Sequence, residues 1–289
     1  MIFETIVIII AVVLLLVVTH ELGHFLTAKF FNIRVDEFGV GIPPRVFGKK
    51  IGETLYSINL LPFGGFVRIF GEDTDAGDPR SFSSQSFSKK FSVVVAGVLM
   101  NVFVGFVIFS FLAWWGTPRF AVGIEGVAPG SPAEKSGFRA GDVIVGFDGK
   151  EREFLSLEEF EGYTHEHKGR EGAFVVRRGD NTFELRAVPR ENPPEGEGAL
   201  GVVITPKEIG IIRAPWYRAP YEGARETILV LGAIGRGLGI FFSELLFYRT
   251  VPGEVLGPVG IAKVASDTFN VGLTIFLQLI ALLSLNLAV

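Results

Sequence analysis

A chain of 289 residues with 48% hydrophobic content and a mean hydropathy of +0.42 is too apolar for an ordinary soluble domain and reads as a membrane protein. A formal net charge of -4 without a basic cluster argues against a nucleic-acid partner. With no cysteine there is no disulfide framework and no thiolate metal site, so any metal must be held by His, Asp, Glu or Asn.

The first apolar segment, residues 2–31, is long enough to span a bilayer, and Asn32 is a plausible helix end. It lacks a basic leader, carries Glu4 and has no small-residue cleavage site, so it reads as a retained helix rather than a signal peptide. Near its end stands His20-Glu21-Leu22-Gly23-His24. Histidines at i and i+4 share one helical face, so His20 and His24 can bind one Zn2+ ion, with Glu21 beside them as general base and later proton donor to a leaving amine. Catalytic zinc takes three protein ligands and a water, so this motif supplies two of the three. Gly23 either leaves room for an approaching chain or serves helix packing. Ionisable groups at such depth in a membrane segment are costly and point to function.

Residues 32–90 hold Arg34, Arg45, Lys49, Lys50, Arg68, Lys89 and Lys90, whereas nothing basic precedes the first helix; the positive-inside rule puts this loop in the cytoplasm. Within it, residues 38–41 and 55–61 read as extended, and 62–69 as a turn leading into a strand. Residues 71–88, rich in Asp, Gly and Ser, read as a mobile connector. A second apolar helix covers 91–115, closed by Trp114-Trp115 at the interface, which leaves the N-terminus and residues 117–222 outside.

Residues 118–206 switch to short strands near 121–127, 143–148, 173–178, 182–188 and 199–204, with helices at 132–136 and 156–165, making an α+β domain. Its His165 and His167 read as solvated surface residues, not ligands. Residues 207–270 form a linker and an interfacial helix, the stretch 227–247 being interrupted by Arg236 and Glu244. A rigid turn at 256–261 leads on, and the uncharged segment 271–289 inserts as a third transmembrane helix.

The motifs together resemble the site-2 protease family of intramembrane zinc metalloproteases, in its bacterial regulator of sigma-E protease branch. The carrying pieces are His20-Glu21-Leu22-Gly23-His24, Gly39-Val40-Gly41, Leu61-Pro62-Phe63-Gly64-Gly65-Phe66-Val67-Arg68, Ala96-Gly97-Val98-Leu99-Met100-Asn101 and Gly257-Pro258-Val259-Gly260-Ile261. Ala128-Pro129-Gly130-Ser131-Pro132-Ala133 and Ala140-Gly141-Asp142-Val143-Ile144 are similar to a PDZ domain. The resemblance implies a polytopic α-helical membrane protein with an inserted PDZ-like domain and a membrane-associated β-hairpin. Its expected place is the inner (plasma) membrane, with the active site near the cytoplasmic side and the PDZ-like domain outside.

The implied activity is cleavage of transmembrane protein substrates, such as anti-sigma factors, in regulated proteolysis. Gly64, Gly65, Phe66 and Val67 would hold an unwound substrate by β-augmentation. The PDZ-like domain would bind a peptide C-terminus near Val122-Gly123-Ile124 or act as a size filter. Membrane lipid is a further expected partner. In the family the third ligand is an Asp in a Leu-Asp-Gly motif on a later helix, after an Asn-rich stretch. Asn286 matches the first Asn, as a substrate-binding residue, and Val289 follows before any such Asp. The expectation is therefore a C-terminally truncated chain, with weak zinc binding and little activity. A noncatalytic membrane adaptor that binds peptides through the PDZ-like domain is the competing reading.

Overall fold

Twenty-nine residues without a polar stripe make α1, Ile2–Phe30, and a second run of equal length makes α2, Phe87–Trp115. At 1.5 Å per residue each is about 43 Å long, more than a hydrocarbon core requires. In the computed structural model, which describes residues 2–72, 77–152, 155–194, 196–248 and 258–289, the chain divides into two units. One comprises Met1–Trp115 and Ala214–Val289, the other Gly116–Arg213.

In the first unit α1 and α2 run antiparallel, since His24 meets Val93 while His20 meets Asn101. A Cβ on Gly23 would strike the carbonyl of Ala96. That glycine therefore serves close helix packing, and the alternative of room for an approaching chain falls away. Asn32, at φ 57°, ends α1 in the left-handed conformation, and the Ile33 amide closes the last turn on Ala28 at 2.8 Å.

Strands β1 (Val35–Ile51) and β2 (Thr54–Ile69) form a hairpin that folds back on itself. Residues 45–51 pair with 54–59 across the turn at Gly52, while Glu37 to Val40 face Leu55 to Ile58 on one side and Gly65 to Arg68 on the other. The segment around Val67 is thus an outer edge. The expected strand at 38–41 is here the centre of a sheet.

The reading of 71–88 as a mobile connector is corrected for its described part. The Arg34 amide donates to Arg80, Phe82 to Phe70 and Ser83 to Gly71, while Ser81 is fully buried. Arg80 and Lys29 both donate to the Glu53 carboxylate, and those hydrogen bonds hold it down at about 2.

Helix α5 is Ala219–Ser243, continued by a π turn at Glu244–Tyr248; α6 is Pro258–Val271 and α7 is Leu273–Asn286. Gly223 lies directly on the backbone of Ser110, and Val230, Leu231 and Ile234 join the cluster of Phe109 and Leu112 on α2. Ala219–Phe247 is also long and apolar enough to cross a membrane. The helical segment α6 supplies the return that lets α7 lie against α1, with Ile280 between Val12 and Leu16. The expected turn at 256–257 lies outside the described residues.

The second unit holds β3 (Thr117–Val127), α3 (Pro132–Lys135), β4 (Val143–Phe147), β5 (Lys150–Glu151), α4 (Leu157–Glu166), β6 (Gly172–Arg178), β7 (Asn181–Ala187) and β8 (Val202–Ile212). The strand order is β7-β6-β4-β3-β8, with β5 beside β4. Its core is built on Val122, Ile144, Phe174 and Val176, all inaccessible to solvent. Ser156 and Glu159 form a capping box that starts α4. Because β8 runs on to Ile212, the unit ends later than the residue 206 expected from turn signals. The anticipated groove at Val122-Gly123-Ile124 is also displaced. Val122 and Gly123 pair with β8 on one edge and β4 on the other, and Val122 and Ile124 are buried, so no peptide can add there.

Candidate metal centre

His20, Glu21 and His24 occupy successive positions of one α1 face, and their donor atoms lie within 4.8 Å of one another. Among the described residues this is the one such His and carboxylate group. His165 and His167 belong to no such group; His167 instead caps α4 and stacks on Tyr163 at 4.0 Å.

Each imidazole is held through its Nδ1. His24 Nδ1 lies 2.7 Å from the Val93 carbonyl, and His20 Nδ1 lies 3.1 Å from the side-chain nitrogen of Asn101. With Nδ1 tied in this way, Nε2 is the atom free for a metal. Both Nε2 atoms converge on the spot where a Cβ would stand if Gly97 carried one; the atom would be 2.5 Å from that of His20 and would collide with that of His24. Gly97 therefore leaves open the space in front of both donors.

The two imidazole nitrogens fit zinc and supply two of the three protein ligands that a catalytic site takes, with the Glu21 carboxylate beside them. A metal-ligating histidine carries its proton on Nδ1 and needs an acceptor there, which Val93 supplies to His24. At Asn101 the amide oxygen is buried without a partner, and turning the amide over presents that oxygen to His20.

Asn101 is fully buried in α2. Its main-chain carbonyl accepts the hydroxyl of Ser284 on α7 at 2.9 Å, and Leu285 fills the space over Gly105. The role of Asn101 is missed by sequence reasoning that looks only for ligands. A lone Asn within the otherwise apolar stretch 93–109 is the signal that could have found it, because such a group needs a polar partner inside the bundle. Ser284 carries the same kind of signal in α7.

The folded hairpin brings the expected substrate residues beside the motif. The Val67 amide donates to Glu21 at 3.0 Å, from the strand edge that faces away from β1. Gly65 packs near Val18 and Glu21, and Gly64, at φ +113°, lies near Val17. Phe66 sits on the opposite face, over Gly39, whose missing side chain makes room for its ring. Asn286 is different: it is exposed on the last turn of α7, two residues beyond Ser284. Glu21 and His24 also line a cavity of about 300 Å³ that opens beside Val67.

Comparison with known proteins gives the family. The family model described as Peptidase family M50 matches residues 8–289. A chain from Clostridium acetobutylicum, named as a candidate zinc metalloprotease, is 31% identical over 95% of this chain and 78% of its own length. Relatives of the same description occur in Clostridium perfringens, 30% identical, and Brucella suis, 29% identical; the matches cover 95% and 96% of this chain and 78% of each relative. Among solved structures, the PDZ domain of an SdrC-like protein from Listeria innocua is 26% identical with a TM-score of 0.25, covering 29% of this chain and 92% of that one.

Proposed function

The chain belongs to peptidase family M50 and is a metalloprotease, and on that premise we propose that it cuts transmembrane segments of membrane proteins within the bilayer. The observation that carries this reading is the bond from the Val67 amide to Glu21, which puts a strand edge and a general base at one point of a helix long enough to span. A peptide bond in a helix is shielded by its own hydrogen bonds. An unwound substrate that adds to the edge at Gly64, Gly65, Phe66 and Val67 has that bond exposed and held extended.

In this reading His20 and His24 would supply two of the three zinc ligands through Nε2, and Val93 and Asn101 keep the rings in place. The chemistry a bound zinc supplies is a water of pKa about 7 and a polarised carbonyl. Glu21 takes the proton of the attacking water on its carboxylate and returns it to the leaving amine. Asn286 is assigned to the substrate carbonyl. The α1 and α2 faces exclude bulk water.

The charge distribution of 32–90 supports a cytoplasmic position for the site, in a multi-pass inner-membrane protein with the Gly116–Arg213 unit outside. That unit, on the same reading, takes a peptide terminus. Substrates are transmembrane proteins of the anti-sigma class.

The test is cleavage of a lipid-reconstituted transmembrane substrate by the protein extended to the length of its relatives and by the Glu21→Gln variant of that form, with zinc content measured on both. The proposal expects equal zinc and loss of cleavage in the variant. Equal cleavage by both would sink it.

A further inference from the structure

From the cavity beside the motif we infer a substrate subsite that selects a basic side chain next to the scissile bond, with Glu72 as the residue that recognises it. The inference rests on the β-augmentation reading above. The cavity holds about 300 Å³, enough for one long side chain, and its wall includes the base Glu21, the ligand His24 and the edge residues Val67 and Ile69. Phe82 and Val93 supply apolar surface, and the Glu72 carboxylate stands at its exposed side.

Strand geometry says which part of a substrate reaches it. Val67 and Ile69 pack with Phe25 and Ala28 of α1, whereas Phe66 and Arg68 turn the other way, Arg68 pairing with Glu37 at 3.4 Å. A peptide laid along this edge alternates in the same way, so every second side chain falls on the α1 side, into the cavity. Since Glu21 and His24 line that cavity, the side chain concerned neighbours the bond being cut.

Charge then decides the class. Every other carboxylate of the hairpin is paired: Glu37 with Arg45 and Arg68, Glu53 with Lys29 and Arg80, Asp36 with Arg34. Glu72 makes no ion pair among the described residues. The nearby Lys90 is turned to the Ser83 carbonyl and the Phe82 ring. A free carboxylate at a half-enclosed apolar wall repels an acidic side chain and favours a cation, whose aliphatic stem the wall covers. Lysine and arginine suit this site, and they are enriched at the cytoplasmic ends of transmembrane segments.

The experiment uses the full chain in lipid nanodiscs carrying Glu21→Gln, so that binding is read without turnover. Labelled peptides from one transmembrane segment differ at a single position: Lys, norleucine or Glu. The expected result is about tenfold tighter binding of Lys than norleucine, with Glu weakest, and a gap below twofold once Glu72→Gln is added. Glu72→Lys should invert the order. Equal affinities for Lys and norleucine overturn the subsite, as does a Lys preference that survives Glu72→Gln. Cleavage unaffected by Glu21→Gln would instead strike the proteolytic reading, so the two failures are separable.

Discussion

Replacing Gly97 with alanine puts one methyl group into the gap toward which the imidazoles point. The new Cβ would stand 2.5 Å from Nε2 and 2.7 Å from Cε1 of His20. Comfortable contact needs about 3.5 Å, so a ring or a helix must give way by about 1 Å. Zinc sites tolerate donor displacements of only about 0.2 Å. The expected loss in zinc affinity is about 10- to 100-fold, the range seen when orienting groups of a metal site are removed. The overpacking itself should cost about 1–3 kcal/mol of stability. To separate the two effects, Gly105→Ala serves as a control: its Cβ would press on Leu285 at 2.7 Å, also crowding α2, but away from the histidines. Competitive chelator titration and thermal unfolding of both variants give the comparison. Gly97→Ala should lose zinc far beyond its loss of stability, and Gly105→Ala should lose stability alone. A Gly97→Ala protein that binds zinc within twofold of the parent would refute the placement of the metal.

Asn101→Leu should weaken zinc binding about 10-fold or more by the same titration, because His20 loses the group that sets its ring orientation. Val67→Pro removes the amide at the outer edge and leaves the ladder to β1 intact, so zinc content should persist while substrate cleavage falls at least tenfold; unchanged cleavage would count against strand addition. In the second unit, burial opposes ionisation of Asp142, but the two-pronged bond and charge of Arg178 together with the Arg139 amide and charge outweigh it, and the carboxyl sits below its usual range. Its stabilisation is therefore complete above the unfolded value of about 4 and disappears as pH falls through the lower folded value. Asp142→Asn should cost about 2–3 kcal/mol at neutral pH and flatten the acid limb of the unfolding curve, read by calorimetry across pH.

What local chemistry dictates was legible in the residues. His20 and His24 lie four apart on a helix, so their shared face follows from helical period alone, and the apolar runs around them mark α1 and α2. Gly64 and Gly65 announced a turn, although not that 65–69 would return beside 37–40 and present Val67 to Glu21. That pairing spans 46 residues and depends on the third dimension. Asn101 was visible as a motif letter, yet its contact with His20 joins positions 81 apart. The packing of α5 has a similar source, because the contact of Gly223 on Ser110 arises only when the helices meet. In the second unit, glycine and proline placed the strands, but which edge of β3 was open depended on β8, some eighty residues later.

One hydrogen bond carries a consequence for the order of events. The Val67 amide can serve one acceptor at a time, and at rest that acceptor is the carboxylate of Glu21. Under the strand-addition proposal, a substrate carbonyl that takes this amide would release Glu21 Oε2 as it docks. Loading of the cleft would then free the carboxylate to turn, while its second oxygen stays open to water before and after the exchange.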